Sequence, residues 1–208
     1  MRIDMHIHTS PRSACSHLGL EELLETANQR KLDGICLTEH QVLWKLEDAE
    51  KLAAEGNIKV FRGNEFTTNQ GDILVFGFDE DIKGLLTIQE LRQAVQNAGG
   101  YMIAAHPFRG FKTFGIGQLQ MTVDQACRRK VFEFVDAIEI GNGKLSDAEN
   151  DMARKVAAKL GLPGTGGSDA HRADEVGRWV TVFEKDIRTE QELLTELRAG
   201  RFSAAQLR

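Results

Sequence analysis

The chain has 208 residues, of which 41% are hydrophobic and 27% are charged, and its formal net charge is −5. This composition is typical of a soluble globular protein, and the negative charge disfavours an extended nucleic-acid-binding face, which needs a basic surface. No apolar run approaches the roughly 18 residues of a membrane helix, and three widely spaced cysteines favour a reduced, cytoplasmic setting. We therefore expect one cytoplasmic domain over residues 1–208.

The first ten residues, MRIDMHIHTS, alternate apolar and polar side chains as a strand does. Residues two apart on a strand point to the same face, which predicts that Asp4, His6 and His8 project side by side. One histidine on a strand is usually an ordinary packed residue. Two at this spacing, with a carboxylate beside them, favour a metal site.

Short apolar runs then alternate with amphipathic helical patterns along the chain. The predicted strands are residues 34–40, 58–66, 72–78, 101–107, 136–142, 162–171 and 178–183, and the predicted helices are residues 18–32, 43–55, 87–100, 122–134, 146–161 and 189–200. Three helices open with a capping-box pattern, at Thr87, Ser146 and Thr189. The segment 108–121, rich in Phe and Gly, is open to three interpretations: a lid, a base-stacking wall or a simple cover for the barrel.

Alternating strands and helices predict βαβ crossovers and a mostly parallel sheet. Seven or eight strands in about 200 residues suggest a small, distorted (β/α)7-type barrel, closed or nearly closed. An open, doubly wound sheet is the alternative, but no GxGxxG or Walker-type loop follows the first strand.

Five of the six histidines fall at the carboxyl ends of predicted strands. They are His6, His8, His40, His106 and His171, and the acidic residues at the same positions are Glu39, Glu65, Glu139 and Asp169. In a parallel barrel these strand ends meet at one rim, where active sites are built. Histidine and carboxylate ligands suit Zn, Mn or Fe. Each residue taken singly has an ordinary packing or turn interpretation, but five coincidences at one rim favour a metal centre. His17 is assigned a structural role.

The motifs DMHIHT, TEH, GNE, AHP and SDAH, in this order, resemble the PHP family, named after bacterial DNA polymerases and histidinol phosphatase. The resemblance covers residues 1 to about 184. It implies a distorted seven-stranded β/α barrel that holds two or three divalent metals at its rim, and many members are phosphoesterases.

The resemblance also implies three ligand sets. The first metal takes His6, His8, Glu65 and Asp169; the second takes Glu65, His106 and, in place of a family histidine, Asp72; the third takes His40 and His171. Two departures from the family pattern affect the third site. Glu39 stands where the family usually has Asp, and the segment after the first motif offers only Cys15 as a further ligand.

The chemistry expected is hydrolysis of a phosphate ester by a metal-bound hydroxide at a di- or trinuclear site. Arg109 and Arg172 are candidates for binding the phosphate, since the guanidinium fork pairs two phosphate oxygens, whereas Arg12 is interpreted as a surface residue. His40 or His171, if no third metal is bound, is the candidate general acid. Asp4 and Glu39 are expected behind the metal ligands, orienting them.

The expected substrate is a small phosphomonoester or the 5′ phosphate of a nucleotide or oligonucleotide, with no membrane partner. One alternative is a non-catalytic metal-binding PHP scaffold. Another is an amidohydrolase-type hydrolase, which is less favoured because that class normally needs a bridging lysine and two middle-strand histidines.

Overall fold

A computed structural model describes residues 1–80, 87–110 and 121–207. Its strands are β1 (Arg2–Ile7), β2 (Gly34–His40), β3 (Lys59–Thr68), β4 (Gly71–Phe76), β5 (Tyr101–Ala104), β6 (Ala137–Asn142), β7 (Gly164–Gly167), β8 (Trp179–Phe183) and β9 (Phe202–Gln206). Its α-helices are α1 (Leu20–Gln29), α2 (Leu46–Gly56), α3 (Ile88–Asn97), α4 (Val123–Ala126), α5 (Asp147–Leu160) and α6 (Glu190–Ala199). Two 3₁₀ helices cover Lys130–Glu133 and Ala173–Glu175.

In the described residues these nine strands form one sheet in the order β7-β6-β5-β4-β3-β2-β1-β8-β9. The sheet curls so that the chain leaving β7 meets β1: Ile7 and Ala170 form a parallel bridge, and the His8 amide donates to the Ala170 carbonyl at 2.9 Å. The seven strands β1–β7 therefore form a nearly closed barrel, with β8 and β9 added beside β1. The predicted barrel is confirmed.

Strand β4 runs against both of its neighbours, antiparallel to β3 and to β5. The pairs β1–β2, β2–β3, β5–β6 and β6–β7 are parallel, as predicted. Because β4 is reversed, its first residues lie at the rim where the other barrel strands end. This reversal is one source of the distortion.

Three buried clusters hold the helices to the sheet. In the first cluster, helices α3 and α5 pack on Val75, Met102 and Ile138. In the second, α6 packs with Phe61 and Leu74. The third cluster holds α1 and α2, and its largest side chain is Trp44. Burial of this apolar surface is the main stabilising contribution to the fold.

The helix boundaries follow the capping patterns only in part. Thr87 and Ser146 each form the full reciprocal capping box. At α6 the Thr189 hydroxyl accepts from the Glu192 amide, but the Glu192 carboxylate accepts from the amide of Arg188 instead of returning to Thr189. The predicted helix 122–134 is split into α4 and a 3₁₀ turn. Of the segment 108–121, for which three interpretations were open, residues 111–120 lie outside the described residues.

None of the described helices is both long enough and apolar enough to span a membrane.

Candidate metal centre

The barrel fold places the predicted site residues at one rim. His6 lies on β1 and His8 follows it, His40 ends β2, and Glu65 lies on β3. His106, Asp169 and His171 follow the short strands β5 and β7. Five of these seven side chains are buried, with relative exposures of 0 to 5% for His6, His8, Glu65, His106 and Asp169. His40 and His171 face outward, with 42% and 17% of their side chains exposed.

Three groups of ligand atoms form there. Within each group the imidazole nitrogens and carboxylate oxygens lie within 4.8 Å of one another. The groups are His6, His8 and Asp169 (the first group), His6, Glu65 and His106 (the second group), and His8, His40 and His171 (the third group). The groups share His6 and His8, so they form one continuous centre.

Glu65 is the carboxylate that connects the groups. Its Oε2 lies 3.2 Å from His8 Nε2, 3.5 Å from His6 Nε2 and 3.2 Å from His40 Nδ1, and its Oε1 lies 2.8 Å from His106 Nε2. His6 Nε2 and His8 Nε2 are themselves only 3.0 Å apart. A carboxylate with its two oxygens on different histidines is arranged as a bridging ligand is.

Neighbouring groups fix the histidine tautomers so that Nε2 faces the centre. His6 Nδ1 donates to Glu139 Oε1 at 3.0 Å. The hydroxyl proton of Ser13 goes to Glu39, so the Ser13 oxygen accepts from His8 Nδ1 at 3.3 Å. Metal-binding histidines are held in this way, with the second ring nitrogen donating to an oxygen. Glu39 is thus connected to the His8 ring by the Ser13 hydroxyl, which hydrogen-bonds to both.

Charge and burial determine the protonation of the cluster. Burial alone would lower the pKa of His6, but Glu139 and Glu65 outweigh it and raise that pKa to about 10. Burial lowers the pKa of His8 to about 3 and that of His171 to about 4. Although burial opposes it, the His6 charge holds the pKa of Glu65 well below its usual value. Of His6, His8 and His171, only His6 therefore carries a positive charge near neutral pH, and it does so because buried carboxylates surround it. Such a concentration of carboxylates suits a multivalent cation.

Two of these residues have unusual backbone conformations. His106 has a φ of 27° and Asp169 a φ of 54°, in the left-handed region that side chains other than glycine rarely adopt. Such conformations cost about 1–3 kcal/mol each and concentrate at functional sites. The strain places both side chains at the centre, where the chain leaves β5 and β7.

Asp4 does not orient a histidine ring, contrary to the sequence prediction. Its carboxylate accepts from the backbone amides of His6, Ser168 and Gly177, at 3.3, 2.8 and 2.8 Å. The register of β1 against β2 shifts between Asp4 and Ile7, which interrupts the alternation expected from the sequence. Desolvation raises the pKa of Asp4 to about 6. Asp4 therefore ties β1 to the chain around β7 and β8.

The role expected of Asp4 is taken by Glu139. One of its oxygens holds the His6 ring, and the other accepts from the His106 amide at 2.8 Å and from Asn142 Nδ2 at 2.9 Å. Its position at the end of a predicted strand was visible in the sequence, but no motif pointed to this role. Nothing in the sequence indicated that Ser13 would contact the His8 ring, since its other partner, Glu39, is 26 residues away in the chain.

Asp72 lies at the rim but in none of the three groups, and its carboxylate accepts from Thr67 Oγ1 at 2.8 Å.

Arg109 contacts the Asp169 carboxylate with its side chain 44% exposed. The Arg172 side chain is 70% exposed, and its Nε lies 3.5 Å from the Asp174 carboxylate. Of the two arginines predicted to bind phosphate, the structure places Arg109 at the centre. Arg12, interpreted as a surface residue, stacks over the Trp44 ring at 4.0 Å.

The donor chemistry suits a divalent metal. Five imidazoles and two carboxylates converge, and this nitrogen and oxygen set is that of Zn, Mn and Fe sites in proteins. A hydrophobic core would not bring these groups together, because burying charges without compensation is costly. The residues present therefore fit the metals that the sequence motifs imply.

Comparison with known proteins agrees with this geometry. The model of the PHP domain matches residues 4–114, more than half of the chain, and a PHP-associated model matches residues 147–202. The uncharacterized protein MJ1587 of Methanocaldococcus jannaschii is 26% identical over 117 residues, which cover 52% of this chain and 68% of that protein.

Two solved structures share the fold. PsfC from Pseudomonas syringae PB-5123 is 22% identical with a TM-score of 0.69, and the alignment covers 99% of this chain and 91% of PsfC. A two-domain protein from Bacteroides vulgatus, containing a predicted PHP-like metal-dependent phosphoesterase, is 20% identical with a TM-score of 0.73, over 99% of this chain and 64% of its own. The chain belongs to the PHP family.

Proposed function

We propose that this protein is a metal-dependent phosphoesterase that hydrolyses a small phosphomonoester or the 5′ phosphate of a nucleotide. The observation that carries the proposal is the position of Glu65, whose Oε2 lies 3.2 Å from His8 Nε2 and whose Oε1 lies 2.8 Å from His106 Nε2. Its two oxygens face different imidazoles, as a carboxylate between two metal ions does. Residues 1–208 would act as one unit, which the single nine-stranded sheet of the described residues supports.

The ligand sets follow from the groups. His6, His8, Asp169 and one oxygen of Glu65 would hold the first metal, and His106 with the other oxygen of Glu65 would hold the second. Two such metals, when bound, supply Lewis acidity to a phosphate and lower the pKa of a coordinated water. Asp72 is not part of this proposal, because its carboxylate belongs to none of the three groups of converging ligand atoms.

The chain's own contribution to phosphate binding would come from Arg109. Its guanidinium lies against Asp169 and is partly exposed, so it can reach both the centre and an entering substrate. A planar guanidinium pairs two phosphate oxygens at once. Arg172, which faces Asp174, has no such position and is left out of the proposal.

Access to the centre favours a small substrate. A cavity of about 200 Å³ lies beside the second group, lined in part by Asp72, His106, Arg109 and Arg129. His40, whose side chain is 42% exposed and whose Nδ1 lies 3.2 Å from Glu65 Oε2, also connects the centre to solvent. An open, polar approach of this kind favours an enzyme over the alternative of a metal-binding scaffold, which needs no entrance for a ligand.

His40 and His171 were considered both as metal ligands and as general acids. We propose the ligand role, since their ring nitrogens converge with that of His8 within 4.8 Å. A nitrogen that coordinates a metal has no lone pair with which to carry a proton to a leaving group.

The test is phosphate release from a panel of sugar, amino-alcohol and nucleoside monophosphates, with added Mn or Zn and after chelation. The wild type should turn over at least one ester only when metal is present, and Glu65→Gln should abolish this turnover. Asp72→Asn, a matched change at the same rim, should retain it. Stoichiometric metal binding without release from any ester would favour the scaffold.

A further inference from the structure

Trp44 stands between β2 and α2 and is held in place from outside the metal centre. Its side chain is 4% exposed and belongs to the third buried cluster. Its backbone carbonyl accepts from Arg62 Nη1 at 3.2 Å, and Arg62 Nε lies 2.8 Å from the Glu190 carboxylate at the start of α6. Neither of these polar contacts involves a residue of the three groups, so the position of the indole does not depend on the ligands.

The edge of the indole holds the buried carboxylate of Glu39. Trp44 Nε1 donates to Glu39 Oε1 at 3.0 Å. The same carboxylate, 0% exposed, accepts from the Thr9 amide and from the hydroxyls of Thr9 and Ser13. A buried charge needs such donors, because leaving it without them is costly. Of these donors, only the indole N–H comes from outside the loop after β1, so it fixes the carboxylate relative to that loop.

The face of the same indole holds the loop that carries Ser13. The Arg12 Cζ atom lies 4.0 Å from the centroid of the ring, and Arg12 Nη2 lies 2.9 Å from the Asp48 carboxylate of α2. A guanidinium over an aromatic face is an attractive contact. Arg12 directly precedes Ser13 in the chain. The two contacts of the indole therefore converge on the Ser13 hydroxyl, one through Glu39 and one through Arg12.

We propose that Trp44 is a positioning residue for His8, acting through Glu39 and Ser13. While Glu39 takes the Ser13 proton, the Ser13 oxygen accepts from His8 Nδ1 at 3.3 Å. The ring proton then lies on Nδ1, and Nε2 keeps the lone pair that faces the centre. Loss of the indole contacts frees the Ser13 hydroxyl to donate to Nδ1, which puts the ring proton on Nε2 and removes that lone pair. This inference rests on the metal binding proposed above but not on the substrate.

The test is a calorimetric titration of the full-length, metal-free protein with Zn²⁺, with no substrate present. Trp44→Phe keeps an aromatic ring under Arg12 but removes the N–H, and it should bind Zn²⁺ about 10- to 100-fold more weakly, the range for residues that orient a metal ligand. Arg12→Gln, at a side chain 31% exposed, should weaken binding about two- to fivefold, the equivalent of one exposed cation–π contact. Trp179→Phe, the same change at the only other tryptophan, should resemble the wild type.

A second measurement reports the His8 tautomer and separates positioning from a general loss of stability. Nitrogen NMR of the metal-free protein labelled with ¹⁵N-histidine, assigned with a His8→Gln sample, should show only the Nδ1–H form of His8 in the wild type. Trp44→Phe should show the Nε2–H form or a mixture of the two. A variant with a lower thermal midpoint but with the tautomer and Zn²⁺ affinity of the wild type would overturn the inference and leave Trp44 as a packing residue.

The outcomes distinguish this inference from the metal centre on which it rests. Equal Zn²⁺ affinity of the wild type and Trp44→Phe would overturn the role of Trp44 and leave the metal centre standing. If Trp44→Phe does not fold, Arg12→Gln decides, since wild-type affinity and tautomer in that variant would overturn the convergence on Ser13. A wild type that binds no Zn²⁺ would overturn both this inference and the proposed metal centre.

Discussion

Replacing Glu65 by Gln tests the shared carboxylate, since it removes a charge while keeping the side-chain volume. Glu65 lies within 2.8 to 3.5 Å of four imidazoles, so its charge is available to every group of the centre. A ligand present at 100 times its Kd stabilises the folded protein by about 2.7 kcal/mol. For a chain of this size, that raises the thermal midpoint by about 5 to 11 °C per bound ion.

Loss of a ligand charge should weaken metal binding by at least about 10- to 100-fold, the range known for residues behind the ligands. At the same metal concentration the stabilisation then falls to between about 1.4 and 0.4 kcal/mol. Glu65→Gln should therefore retain at most about half of the wild-type gain in thermal midpoint.

The assay is thermal unfolding followed by circular dichroism, with and without Zn²⁺ or Mn²⁺, on the wild type and two variants. Comparing each variant with its own metal-free form removes any change in intrinsic stability. Asp72→Asn is the matched control, because the amide oxygen can still accept from Thr67. A full metal-induced gain in Glu65→Gln, or an equal loss in Asp72→Asn, would refute the bridging role.

Other substitutions probe the surroundings of the centre. Arg109→Ala should raise KM for a phosphate ester by roughly 10- to 150-fold, the equivalent of one charged hydrogen bond of about 1.5–3 kcal/mol, while Arg172→Ala stays within about twofold; equal effects in steady-state kinetics would contradict the assignment. Glu139→Gln, which disturbs the hydrogen bond to His6 Nδ1, should lower metal affinity about 10- to 100-fold by calorimetric titration, and an unchanged affinity would remove its positioning role. Thr165→Val should leave the free energy of unfolding unchanged or raise it by about 1 kcal/mol in urea denaturation, because the buried Thr165 hydroxyl has no hydrogen-bond partner in the described part of the chain; a clear loss would show an interaction that the geometry misses.

Much of the centre was predictable from the sequence, because the candidate ligand residues stand at the ends of the predicted strands. In a barrel the ends of parallel strands share one rim, so a histidine after each apolar run is enough to predict the cluster. The hydrogen bonds that hold the histidine rings in place were not predictable in the same way. Glu139 reaches His6 from 133 residues away, and only the closed barrel brings the two together.

The reversal of β4 had a sequence signal that the alternating pattern concealed. Only five residues separate the predicted strands 58–66 and 72–78, whereas a parallel crossover needs a dozen or more. In the structure Thr68 and Gly71 are paired across a tight turn, and Gly71 has a φ of 113°, which favours glycine. The register shift in β1, between Asp4 and Ile7, had no comparable signal in the sequence.

The most direct measurement of the central claim is the metal content of the purified, folded protein by elemental analysis, with the same determination on Glu65→Gln. We expect two or more equivalents of Zn, Mn or Fe per wild-type chain and fewer in the variant. A folded wild-type protein that carries no metal, and takes up none on dialysis against these ions, would contradict the assignment of the rim as a metal centre.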